Sequence, residues 1–225
     1  MSGEIKVHNG SSFNWKPIKV WNGSAWVVKP LKFWNGSAWK LTNEGGGTVS
    51  ITDSFNRTDS ATLGTADTGE TWTSSAGSSG VFGISSNKAY VSSPQANSVA
   101  VLDTGITNYS VGATFTGTTG EWGLVLRYVD SNNYLLVSFA SQYWHRIRTR
   151  IASTNTAVVE KGFTTISDGT LVRVDVVGNA VTVYMNGIET LTYDLAGALS
   201  TGTKVGIFSS SSTSNRWDDF YVTEL

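Results

Sequence analysis

Residues Leu171–Tyr193 read LVRVDVVGNAVTVYMNGIETLTY, and this stretch decides the fold. Val172, Val174 and Val176 alternate with Arg173 and Asp175, so on an extended strand the valines point to one face and the charges to the other. Gly178-Asn179 interrupts the pattern, Val181, Val183 and Met185 resume it, and Asn186-Gly187 interrupts it again. Both dipeptides tolerate the positive φ of a tight hairpin turn. The stretch therefore predicts successive antiparallel strands with one buried face and one wet face.

Outward from it, the same signals predict strands near Ala89–Val91, Val99–Leu102, Ser110–Thr116, Gly123–Tyr128, Tyr134–Phe139, Arg146–Ile151, Ile188–Tyr193, Lys204–Phe208 and Asp218–Thr223, with a further turn at Asn132-Asn133. No useful length of helical periodicity occurs. Many short strands separated by turns imply an all-β antiparallel sandwich or barrel.

Upstream, Glu44-Gly45-Gly46-Gly47 marks a flexible joint, and the composition changes across it. The predicted organisation is residues 1–43 as an N-terminal unit, 44–48 as a glycine-rich linker and 49–225 as the sandwich. The N-terminal unit speaks one phrase three times without spacers: IKVHNGSSFNWKP over Ile5–Pro17, IKVWNGSAWVVKP over Ile18–Pro30 and LKFWNGSAWKLTN over Leu31–Asn43. Asn-Gly amid alternating apolar positions makes each 13-residue repeat a short β-hairpin. Pro17 and Pro30 fall at junctions, where a missing N–H does no harm. The Asn-Gly-Ser triplets at Asn9, Asn22 and Asn35 match an N-glycosylation acceptor formally, but turn chemistry explains them.

Five of the nine tryptophans lie in these repeats: Trp15, Trp21, Trp26, Trp34 and Trp39. Small hairpins shield little surface by themselves. The tryptophans are therefore candidates for docking or oligomerisation, against the plainer account that they pack across strands as a small core.

The totals exclude several classes. With no cysteine among 225 residues, there is neither a disulfide framework nor a thiolate metal site. No basic stretch followed by an apolar run opens the chain and no apolar run reaches about 20 residues, so neither an export signal nor membrane insertion is expected, and the product should be soluble when made. Residues 1–47 hold six Lys and two Glu, or +4, and residues 48–225 hold ten Lys and Arg against fifteen Asp and Glu, or −5, for a total of −1. The lysines of the basic part are spread singly along strands, which argues against nucleic acid as a partner.

Several phrases of the acidic part now gain meaning together. Asp53-Ser54-Phe55-Asn56-Arg57-Thr58-Asp59, Arg127-Tyr128-Val129-Asp130 with Asn133-Tyr134, Val174–Asn179 leading to Val183–Gly187, and Trp217–Val222 resemble, in that order, a concanavalin A-like (laminin G-like) jelly-roll domain over about Val49–Leu225. The repeats at Ile18–Pro30 and Leu31–Asn43 resemble segments of minor tail proteins of bacteriophages that infect actinobacteria. Together the resemblances imply a virion protein of tail-tip or fibre type, assembled in the host cytoplasm. Its partners would be other phage structural proteins and further copies of itself, a trimer by analogy with tail fibres, and its jelly roll would bind host envelope polysaccharide. The alternative they leave open is a capsid decoration or head-fibre protein that cements or projects from the virion.

Some jelly rolls of this superfamily are glycosidases, which use two carboxylates facing the scissile bond. The Glu-x-Asp-x-x-Glu phrase of such relatives does not occur here, Glu121, Glu160 and Glu189 are scattered, and Asp218-Asp219 are adjacent and so predicted to face opposite ways. With His8 and His145 the only histidines, and no nucleophile elbow or phosphate cradle, a non-enzymatic protein is expected and no catalytic residue is assigned. No cofactor is expected beyond Ca²⁺, which relatives often bind; Asp53, Asp218 and Asp219 are the candidate ligands if first and last strands pair, against their being turn and edge carboxylates.

The strongest binding candidate is Ser141–Arg150, SQYWHRIRTR. On a strand from Trp144, the side chains of Trp144, Arg146, Arg148 and Arg150 share one face and Ile147 and Ile151 the other. With Tyr143, they offer a flat apolar plate and planar five-donor forks, which suit sugar rings, anionic groups or a protein partner's carboxylates. A merely basic sheet face is the duller account.

Overall fold

Two compact units divide the chain, Met1–Thr48 and Val49–Leu225. The structure, a computed structural model, describes residues 4–8, 13–17, 19–21, 23–24, 26–28, 32–34, 39–41, 49–74, 80–93, 97–117, 120–140, 144–162, 166–210 and 212–225. In the first unit this description covers the strands' backbone and, of side-chain environment, only Gly23 and Ser24.

Each repeat contributes one antiparallel pair: β1 (Glu4–His8) with β2 (Phe13–Pro17), β3 (Lys19–Trp21) with β4 (Trp26–Val28), and β5 (Lys32–Trp34) with β6 (Trp39–Leu41). Trp21 and Trp26 are direct cross-strand partners, as are Trp34 and Trp39. The connection therefore spans four residues rather than the two of a minimal Asn-Gly hairpin, and Gly23 within it takes a φ of 99°.

The second unit continues with β7 (Ser50–Asp53), β8 (Thr73–Ser74), β9 (Val81–Ser85), β10 (Lys88–Ser93), β11 (Ser98–Asp103), β12 (Tyr109–Thr116), β13 (Glu121–Asp130) and β14 (Asn133–Ala140). It closes with β15 (Trp144–Ile151), β16 (Thr154–Gly162), β17 (Thr170–Val177), β18 (Ala180–Met185), β19 (Ile188–Asp194), β20 (Lys204–Ser210) and β21 (Arg216–Glu224). Two antiparallel sheets result, one ordered β19-β18-β17-β12-β21-β10-β9 with β7 also on β21, the other β16-β15-β14-β13-β20-β11-β8. Among the described residues there is no helix.

The alternation at Leu171–Tyr193 does what its period dictates. Val172, Val174, Val176, Val181 and Val183 are all buried, and Arg173, Asp175 and Tyr184 lie on the opposite face. Burying each such valine contributes about 1.5–3 kcal/mol. Asn186 and Gly187 both take positive φ, 47° and 81°, in the turn that joins β18 to β19. At the other predicted turn, Asp130 pairs with Asn133, so Ser131 and Asn132 make the bend and Asn133 already belongs to β14.

The inward faces share one core, in which Phe115, Trp122 and Phe139 form an aromatic stack with centroids 4.4 and 5.1 Å apart along it. Arg127 is buried at a bulge of β13, donating from Nη2 to the Gly178 carbonyl at 2.8 Å and from Nη1 to that of Ser200. Its backbone N–H donates to the Tyr109 hydroxyl at 3.1 Å, and burial pushes the pKa of that phenol up to about 12.

Candidate functional site

The alternation of β15 places the candidate residues. His145, Ile147 and Thr149 are buried on the core side, and Trp144, Arg146, Arg148 and Arg150 are half-buried on the other, so the four share a face. Tyr143, the fifth residue proposed from sequence, lies outside the described residues. The pairing register sets Trp144 beside Ala140, Arg146 beside Ser138, Arg148 beside Leu136 and Arg150 beside Tyr134 on β14, while Glu121 of β13 pairs with Ala140. On the outer side Arg146 pairs with Glu160 of β16.

Two carboxylates thus join the stripe, and neither is near it in sequence. Glu121 Oε1 receives Arg148 Nη2 at 2.7 Å and Arg146 Nη2 at 3.3 Å, and Glu160 Oε2 receives Arg146 Nη1 at 3.4 Å. The Arg146 guanidinium lies over the Trp144 ring with Cζ 3.6 Å from the centroid. Stacking and ion pairing hold both groups in place, so little rotamer freedom remains to be lost when a ligand arrives.

Next to the stripe the same sheet face is apolar. Val99, Val101, Val125, Leu136, Phe208, Tyr128 and Tyr134 form a second buried cluster, and the two tyrosine rings stack 5.9 Å apart. The guanidiniums of Arg148 and Arg150 lie 5.9 Å from the Phe208 ring and 6.0 Å from the Tyr134 ring. Burial lowers the Arg148 pKa from its ordinary value, with Glu121 opposing, and burial raises that of Tyr134. Several polar atoms here are sequestered without a protein hydrogen bond: the Nε of Arg146, Arg148 and Arg150, and Ser138 Oγ.

The trio considered for Ca²⁺ does not assemble into a metal site. Asp53 is fully buried, and its carboxylate accepts Arg57 Nη1 at 2.6 Å, Arg57 Nη2 at 2.9 Å, Trp72 Nε1 at 2.7 Å and the Phe55 N–H at 2.9 Å. Those four donors use its lone pairs, and the Asp53–Asp59 run is thereby a structural clasp that seats Trp72 on Phe220 with centroids 5.0 Å apart. Asp218 is paired with Lys88. First and last strands do pair, with Phe220 opposite Asp53, but a register shift and the positive φ of Asp219, 48°, replace strict alternation at Asp218-Asp219. Among the described residues no group of three or more His, Cys, Asp or Glu could hold a metal ion.

The five repeat tryptophans occupy strands, Trp15 in β2, Trp21 in β3, Trp26 in β4, Trp34 in β5 and Trp39 in β6; their side chains lie outside the described residues.

Comparison with solved structures gives the architecture relatives. The CBM2 module of the evolved Dit of Lactobacillus casei BL23 phage J-1 superposes with a TM-score of 0.52 at 14% identity, covering 79% of this chain and 98% of that one. A Bacillus subtilis protein of unknown function with a galectin-like fold also gives 0.52 at 14% identity, over 68% of this chain and 89% of that one. The fold is a galectin-like jelly roll. It is the fold also used by carbohydrate-binding modules. A GH43 protein from Bacillus licheniformis, BlXynB, matches at 0.50 and 14% identity over 86% of this chain but only 45% of its own length. No protein-family model and no curated protein matches the chain.

Proposed function

We propose that the chain is a non-enzymatic bacteriophage virion protein, of minor tail or tail-tip type, whose jelly roll binds host-surface glycan through the β15 face. The observation that carries the reading is the Trp144–Arg146 stack, an aromatic ring and a planar guanidinium held beside the Glu121, Glu160 and Arg148 head groups. A pyranose presents C–H groups that pack on aromatic and guanidinium planes and a rim of hydroxyls that pair with carboxylates and guanidiniums, and this stack supplies both kinds of group. The fold shared with a phage carbohydrate-binding module supports the same partner class. Binding rather than hydrolysis fits the carboxylates, since Glu121 and Glu160 are committed to guanidiniums instead of facing one another across an open cleft. The repeats, in this reading, attach the module to the virion.

Trp144→Ala and Ile147→Ala test the site. Replacing half-exposed Trp144 should weaken attachment to host cells or their purified envelope polysaccharide about tenfold or more, with Tm shifted by no more than about 2 °C. Ile147 is fully buried, so its truncation should cost about 2–5 kcal/mol of stability. Incubation of the native protein with the polysaccharide should release no new reducing ends. Unchanged attachment of the Trp144 variant, or steady release of reducing ends, would overturn the reading.

A further inference from the structure

The face of the eight-stranded sheet turned away from the core carries a construction the β15 face does not explain. Tyr184 of β18, Arg173 of β17, Gly112 of β12 and Tyr221 of β21 are successive direct cross-strand partners, so they form one row across four strands. Arg173 Cζ lies 3.9 Å from the Tyr184 centroid. Tyr221 leans onto β12: a Cβ at Gly112 would stand 2.5–2.7 Å from its Cε1, Cζ and hydroxyl oxygen, so only glycine admits the ring there.

Charge is arranged around these planes. Arg173 Nε sits 3.3 Å from Asp175 Oδ1, an ion pair without hydrogen-bond geometry, and both atoms are sequestered with no hydrogen-bond partner. Tyr184, Arg173, Asp175 and Tyr221 are each only partly buried. At about 4.8 Å per strand the row spans about 14 Å, room for a short oligosaccharide laid across the strands.

We infer that this row is a second carbohydrate-binding site, in which Tyr184 and Tyr221 stack sugar rings and Arg173 and Asp175 hydrogen-bond their hydroxyls. Guanidinium and carboxylate cancel locally, and residues 48–225 carry a net −5, so the surface suits neutral sugars and repels a polyanion. Two such faces on opposite sheets make one jelly roll bivalent for a polysaccharide, and avidity then strengthens a weak contact without any new one.

The test is an amide-resolved NMR titration of the full-length protein with xylohexaose, arabinohexaose and cellohexaose, with caffeine as the planar non-sugar probe. At least one hexasaccharide should shift Gly112, Arg173, Asp175, Tyr184 and Tyr221. Tyr221→Ala and Tyr184→Ala should each weaken that binding about tenfold while the Trp144→Ala protein retains it. Shifts confined to Trp144–Arg150 and Glu121 would support the β15 reading and overturn this one; shifts confined to the Tyr184–Tyr221 row would do the reverse. Shifts of the row by caffeine and by no sugar, or no shift by any probe, would refute it as a sugar site.

Discussion

His145 shows how strand alternation fixes a titrating group. It lies on the core side of β15, its ring stacked on Phe139 with centroids 6.2 Å apart, and Lys161 is its partner on β16. Burial first, and the Lys161 charge second, lower its pKa from 6.5. The folded state therefore prefers the neutral imidazole. Its contribution is fully present above pH 6.5 and is lost as the pH falls through that value toward the folded pKa. Asp67, lowered by hydrogen bonds from Ser54, contributes above its ordinary 3.8 and is lost only below it, so the two windows separate. Urea midpoints should fall between pH 7 and pH 5, and His145→Gln should flatten that dependence; equal slopes in both proteins would show another group at work. At this scale the sequence reveals one strand of the candidate site and not its partners. Trp144, Arg146, Arg148 and Arg150 share a face by period two alone, whereas Glu121 and Glu160 reach them only through the registers of β13 with β14 and β15 with β16. A pairing register is a tertiary fact, and no local spacing encodes it.

Elements with one buried face announce themselves, and those without do not. Strands β17 and β18 are legible because their valines alternate with polar residues, while β16 is exposed or half-exposed throughout and reads TNTAVVEKG, with no apolar period to find. Strands β7 and β9 are short, and β8 has two residues, so their pairing comes from neighbours rather than propensity. Turn chemistry is the firmer signal and can be tested directly. Gly187 has φ 81° in open space, so Gly187→Ala adds backbone strain without a clash and should cost about 1 kcal/mol, near 2–4 °C in Tm. Gly162, at the end of β16, also faces open space but has no left-handed φ, and Gly162→Ala should change stability by less than about 0.5 kcal/mol. Equal losses at both positions would mean that the left-handed backbone of the turn does not set the cost.

For the whole molecule the sandwich followed from strand number and alternation, but its order did not. Strand β20 inserts between β13 and β11, and β21 between β12 and β10, pairings that close across much of the chain. Val49–Leu225 holds a buried hydrophobic core of its own and should fold alone, with β-type circular dichroism and one cooperative melt. Each repeat instead forms a sheet of only two strands, and five tryptophans fall within three such hairpins. Two-stranded units are marginal in water, so the favourable outcome for that much aromatic surface is association. Sedimentation of the full-length protein should therefore show an oligomer, a trimer by the tail-fibre analogy, and deletion of residues 1–48 should leave a folded monomer that no longer enters virions. If the truncated protein keeps both its assembly state and its place in the particle, the tryptophans serve the hairpins themselves and attachment must reside in the jelly roll.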